Sequence, residues 1–172
     1  QYPIATDQSG FRQEEIEKFL AETGYDVSKF TAIACRGGSL PPCHMGAYEV
    51  NEEMIDVLCH RPSGQHASSC AAVIGFNIAK KLGIKAYIYD GNCADEMDPK
   101  ARISGNPLVE KLSMGHFLNT KAVGRLYGDK IGKKYQDLNL IIVHTGGGIS
   151  IGLHKKGVIV DVASDEDGTM SP

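Results

Sequence analysis

The stretch Leu138–Val162, LNLIIVHTGGGISIGLHKKGVIVDV, constrains this chain more than any other. Leu140–Val143 is a continuous apolar run, mostly β-branched, which is the pattern of a buried strand. His144-Thr145-Gly146-Gly147-Gly148 then predicts a tight turn. Ile149, Ile151 and Leu153 alternate with Ser150, Gly152 and His154, the period of a half-buried strand. Lys155-Lys156-Gly157 predicts a hairpin turn and Val158–Val162 a third strand. The glycine loop therefore joins two strands.

That placement narrows the chemistry. Successive glycines let backbone amides approach an anion without side-chain obstruction. The glycine loops of dinucleotide-binding and Walker A proteins do the same, but run into a helix whose N-terminus holds the anion. Here no helix is expected after the loop, and no Lys-Ser or Lys-Thr pair closes it. A helix beginning at Ile149 would instead suit a dinucleotide-dependent oxidoreductase. Taken alone, the loop could equally be a β-turn with no ligand.

Other positions carry chemistry at element ends. Thr31–Cys35 predicts a short buried strand, after which Arg36-Gly37-Gly38 can aim a guanidinium at carboxylate or phosphoryl oxygens, or simply place a surface ion pair. His66 precedes a helix expected to reach Leu82 and stop at Gly83, so it either borders a cleft or caps the helix. Lys85–Tyr89 predicts a strand ending in Asp90, which could reach a metal ion or merely serve the turn. His116 and Asn119 lie three apart on a helix expected from a Ser113 cap to about Gly128, so they share a face. Cys43-His44 and Cys59-His60 have no third ligand at metal-site spacing.

The remaining elements follow from periodicity and caps. Phe11–Thr23 predicts a helix capped by Ser9, with Phe11, Ile16, Phe19 and Leu20 on its packing face and Gly24 at its stop. Tyr48–Val50 reads as a strand, and Asn51 as the cap of a helix to about Cys59. A short helix is expected over Asp95–Arg102, then an extended connection over Ile103–Glu110.

Composition excludes several classes. The 172 residues are 42% hydrophobic, enough for a real core. Lys and Arg number 18 against 21 Asp and Glu, which gives no basic footprint for nucleic acid. No apolar run approaches a membrane span, and no signal pattern opens the chain. The 5 cysteines lack paired spacing, which fits a reducing cytoplasm.

Taken together, the motifs resemble the butyrate kinases, members of the acetate kinase group within the actin-like ATPase superfamily. The loop His144–Ser150 matches their phosphate loop, continued by Gly152, His154, Lys156-Gly157 and Asp161-Val162. Arg36-Gly37-Gly38, Tyr48-Glu49-Val50-Asn51, Gly64–Ser68, Asp95-Glu96-Met97, Ala101–Gly105 and His116–Val123 follow in that family's order, over nearly the whole chain. One departure falls at Gly91, where the family has proline, followed by Asn92-Cys93-Ala94 in place of apolar residues, in the region of the acyl pocket.

The resemblance implies an α/β architecture of ribonuclease-H-like, actin-like ATPase lobes with mixed sheets, incomplete at both ends. It implies the middle portion of a longer kinase. Residues 1–115 would form the first lobe without its opening hairpins, and 116–172 the crossover helix and opening β-meander of the second. It implies a cytoplasmic, homo-oligomeric enzyme that moves phosphoryl from ATP, with Mg²⁺, to butyrate or a branched relative, giving an acyl phosphate. No nucleic acid or membrane partner is expected. Arg36, His66, Asp90, His116 and Asn119 would be catalytic, with Asp90 also positioning Mg²⁺ directly or through water. His144, Gly146, Gly147, Gly148 and Ser150 would cradle the ATP phosphates. The alternative is a fragment that binds nucleotide or scaffolds without catalysis.

Overall fold

The computed structural model describes residues 3–164. The chain forms two compact units, Gln1–Pro41 with Gly46–Gly91, and Pro42–Met45 with Asn92–Pro172.

The first unit is built on a three-stranded sheet of order β1-β3-β2. Here β1 is Ala32–Cys35, β2 Ala47–Glu49 and β3 Lys85–Tyr89. β1 runs parallel to β3 and β2 antiparallel to it, so the sheet is mixed. Helix α3 (Ser69–Leu82) packs on β1 and β3. Gly75 makes that contact possible: a Cβ there would lie 2.1 Å from Cys35 Sγ. Gly83 ends α3 with φ 69°, the left-handed stop that glycine permits without strain. Helix α2 (Glu52–His60) is capped by Asn51, whose side chain accepts from the Met54 N–H at 2.9 Å.

Helix α1 (Ser9–Glu22) differs from expectation in its orientation and its cap. Phe11, Ile16 and Phe19 are exposed, while Ser9 and Gln13 are buried. Polar bonds fix this face: Asn77 Nδ2 donates to Gln13 Oε1 at 3.1 Å, and Lys81 Nζ meets Glu17 at 2.7 Å. Ser9 is no cap, because a 3₁₀ turn over Ala5–Gln8 runs straight into the helix.

The second unit carries the antiparallel meander β4-β5-β6. Its strands are β4 (Asn139–Thr145), β5 (Ile149–Lys155) and β6 (Val158–Ser164). The expected hairpin turn is present, with Lys156 at φ 51° and Gly157 at φ 86°. One sheet face packs on helix α4 (Phe117–Lys130), where Gly124 lets the Tyr135 ring approach. Phe117, Ile159, Val162, Met97 and Ala94 form a buried apolar cluster. On the opposite face Ile141 is 72% and Val143 55% exposed, so β4 is not the buried strand that its continuous apolar run predicts.

Two further local expectations give way here. Ser113 does not cap α4; its hydroxyl donates to the Ala94 carbonyl at 2.8 Å, and the helix starts only after His116. Asp95–Arg102 is not a helix: only Pro99–Arg102 forms a 3₁₀ turn. Asp95 instead takes the Arg102 guanidinium through two bonds of 2.7 and 2.8 Å. That fork holds the Asp95 carboxyl below the usual carboxylate range. Among the described residues no helix is long and apolar enough to cross a membrane.

Candidate functional site

In the second unit the glycine loop spans the turn between β4 and β5, as its sequence requires. The Gly146 N–H donates to the Gly148 carbonyl at 3.0 Å. Gly146 and Gly147 are exposed, and a Cβ at Gly147 would meet nothing within 4 Å. At Gly147 the backbone lies open, the property an anion-gripping turn needs, while the His144 ring lies against Gly146. None of the three glycines has positive φ, so their absent side chains, not their torsions, are what the loop uses.

β4 and α4 bring His144, His116 and Asn119 together. The His116 and His144 rings stack with centroids 3.9 Å apart and planes 12° from parallel. Asn119 Nδ2 lies 2.7 Å from His144 Nδ1. His116 sits at the N-terminal edge of α4 with its carbonyl accepting from Thr120 N–H at 3.0 Å. The three-residue spacing of His116 and Asn119 thus places both against one target, the His144 ring. Ser150, grouped by sequence with the phosphate cradle, is 1% exposed. Its Oγ accepts from the His116 N–H at 3.3 Å and lies 3.0 Å from His116 Nδ1.

In the first unit, Arg36 is exposed at the end of β1. The glycines behind it are structural: a Cβ at Gly38 would lie 2.8 Å from the Ser69 Cα at the start of α3. His66 is exposed ahead of α3, with Nδ1 accepting from the Ser68 N–H at 3.1 Å. Asp90 follows β3, is 2% exposed and has φ 44°. That left-handed torsion costs most residues energy and is tolerated best by Gly, Asn and Asp. Its N–H donates to the Gly46 carbonyl at 3.0 Å. Among the described residues no group of three or more His, Cys, Asp or Glu could enclose a metal ion. A single carboxylate such as Asp90 suits Mg²⁺, which prefers one or two carboxylates together with phosphate oxygens and water.

Sequence reasoning missed Ser68 and the true setting of Ser150. The signal for Ser68 was local, a serine two residues after a histidine at a helix start. Ser150 lies 34 residues from His116, so no local spacing announces the contact.

No protein-family model matches the chain. Comparison with curated proteins finds 44% identity over 173 residues with a "Probable butyrate kinase" of Clostridium botulinum. That match takes in 99% of this chain. The resemblance is to butyrate kinases. A second such relative, "Butyrate kinase 1" of Clostridium acetobutylicum, is 43% identical. The chain spans about half the length of these butyrate kinases, 49% of each. Among solved structures, the acetate kinase of Porphyromonas gingivalis superposes with TM-score 0.58 at 18% identity, over 87% of this chain and 42% of its own. A propionate kinase from Francisella tularensis gives 0.58 at 16% identity, over 87% and 41%. The fold is therefore that of the acetate and propionate kinases, an α/β actin-like ATPase architecture.

Proposed function

We propose that this chain supplies reacting and phosphate-holding residues of a carboxylate kinase. The enzyme would pass the γ-phosphoryl of ATP to butyrate or a branched short-chain acid, reversibly, giving an acyl phosphate and ADP. The observation that carries this reading is the bare turn Gly146–Gly148 opening between two strands beside stacked His116 and His144. The 43 and 44% identity to butyrate kinases along the chain supports it.

In the reaction a carboxylate oxygen attacks the γ-phosphorus and the bond to the β-phosphate oxygen breaks. A carboxylate is already a nucleophile at neutral pH, so no base is needed, and positioning and charge stabilisation dominate. From the first unit, Arg36 would neutralise phosphoryl or carboxylate charge and His66 would donate to an oxygen. Asp90 would hold Mg²⁺, which supplies charge neutralisation on the phosphates. From the second, His116 and His144 would hold oxygens, with Asn119 set against the His144 ring, while the amides of Gly146–Gly148 grip the polyphosphate. The lobe division at 115/116, a homo-oligomer and a cytoplasmic setting belong to the same proposal.

The test is an acyl-hydroxamate assay with Mg·ATP over acetate, propionate, butyrate and isobutyrate. It would use the 172-residue chain and a chimera in which this chain replaces the matching part of the Clostridium acetobutylicum relative. Turnover of butyrate or isobutyrate, lost by orders of magnitude in Arg36→Ala, is expected; near-normal turnover in that variant contradicts the role of Arg36. Because the chain spans half of its relatives, a second reading is a module that binds nucleotide without turnover. Nucleotide binding by both forms with no hydroxamate from either would favour it.

A further inference from the structure

His66 in the first unit, and His116 and His144 in the second, share one local feature: each presents Nδ1 to a partner within its own unit. For His66 that partner is the Ser68 N–H at 3.1 Å, with Ser68 Oγ 2.8 Å away. A backbone N–H can only donate, so Nδ1 accepts, and the neutral ring carries its hydrogen on Nε2.

For His116 the partner is the buried hydroxyl of Ser150. Among the described residues, the hydrogen bonds of that oxygen are both with His116: it accepts the backbone N–H at 3.3 Å and faces Nδ1 at 3.0 Å. At 1% exposure water cannot take the hydroxyl hydrogen, and a buried donor left unused is costly. Among the described residues the acceptor within reach of that hydrogen is Nδ1, which leaves the ring proton of His116 on Nε2. For His144 the partner is the Asn119 amide nitrogen at 2.7 Å, a donor, with the same result. Its Nε2 stands beside the glycine loop, 3.2 Å from where a Cβ on Gly146 would be.

We propose that Ser68, Ser150 and Asn119 are positioning residues that keep the ring hydrogen of His66, His116 and His144 on Nε2, making each ring a hydrogen-bond donor to the oxygens of an anionic ligand. That those oxygens belong to phosphoryl and carboxylate groups rests on the carboxylate kinase reading. The opposite tautomer would turn a lone pair toward an anionic oxygen and repel it. Donors fixed beforehand lose nothing to reorientation when charge develops.

Long-range ¹H–¹⁵N NMR on the histidine-labelled 172-residue chain, above the pH at which histidine ionises, reads each tautomer directly. His66→Gln, His116→Gln and His144→Gln assign the signals. Protonated Nε2 in all three rings is expected; a protonated Nδ1 in His116 or His144 overturns the proposal. In Ser150→Ala the His116 signal should move to a tautomer mixture while His144 stays unchanged, and Ser150→Thr should retain the original pattern. Asn119→Asp should convert His144 to Nδ1–H. A His116 signal unmoved by Ser150→Ala would remove the positioning role of Ser150. If Ser150→Ala fails to fold, the unsubstituted chain and Asn119→Asp still decide. Inorganic phosphate is the ligand probe. Tautomers as stated with no shift of any Nε2–H on adding phosphate would sink the anion-donor role and the kinase reading with it. Reversed tautomers with a clear phosphate response would sink this proposal and spare that reading.

Discussion

The Tyr135 hydroxyl lies 2.5 Å from Nδ1 of His154, and both side chains are buried beneath the meander. His154 fits there because Gly152, two residues before it on the same sheet face, has no side chain; a Cβ would lie 2.8 Å from His154 Nε2. Burial, with a smaller contribution from the positive charge of Lys121, lowers the His154 pKa from 6.5 to about 4.

The unfolded chain therefore takes up a proton on His154 as pH falls below 6.5, while the folded chain does not until about 4. Stability from this group is complete above 6.5 and falls across that window, by about 3 kcal/mol at most. Urea unfolding at a series of pH values should show this slope in the wild type, and His154→Asn should flatten it. Equal slopes in both would contradict a buried neutral ring.

Gly147→Ala separates the loop's two possible uses. Its Cβ would meet nothing within 4 Å and its torsion is not left-handed, so thermal stability should hold or rise slightly. A methyl in the mouth of an anion-gripping turn should weaken binding of Mg·ATP at least tenfold, about 1.4 kcal/mol. Calorimetric melting and nucleotide titration on the same sample check both. Unaltered nucleotide affinity would make the loop an ordinary turn.

Gly75→Ala should destabilise the first unit by about 1–3 kcal/mol, because its Cβ would stand 2.1 Å from the Cys35 sulfur. Cys35→Ala removes the obstructing atom, so the double variant should recover much of the loss, a coupling that a double-mutant cycle measures. Burial pushes the Cys35 thiol up to about 11, so the sulfur is an inert packing group there.

Arg102→Lys keeps the charge but loses the two-pronged grip on Asp95. Partial burial of both side chains makes the fork matter more than a surface pair. A loss of about 1–2 kcal/mol in urea unfolding is expected, and a loss no larger than that of an exposed lysine replacement would rule out the fork's contribution.

The β-meander was legible because strand alternation and the Lys-Lys-Gly turn are local signals that tertiary packing here does not override. Asn51 was legible for the same reason: a cap acts on a backbone N–H three residues away. Helix α1 was legible as a helix but not in its facing. Its apolar residues have helical spacing, yet Gln13 and Glu17 are held by Asn77 and Lys81, which lie 64 residues away. Ser113 looked like a cap because its competitor, the Ala94 carbonyl, arrives from elsewhere in the chain. At the site, the meeting of Asn119 and His116 on the His144 ring follows from helix spacing plus one strand contact, whereas the Ser150 contact needed the folded backbone.

Under the proposed role of Asp90, position 90 would answer to two demands at once. The backbone corner at φ 44° admits glycine, asparagine or aspartate cheaply and penalises branched or bulky side chains. Glycine would keep the corner and erase the carboxylate; asparagine would keep the reach and lose the charge; glutamate would keep the charge and resist the corner. With the proposed Mg²⁺ role, geometry and acidity would eliminate different neighbours and leave aspartate in their overlap.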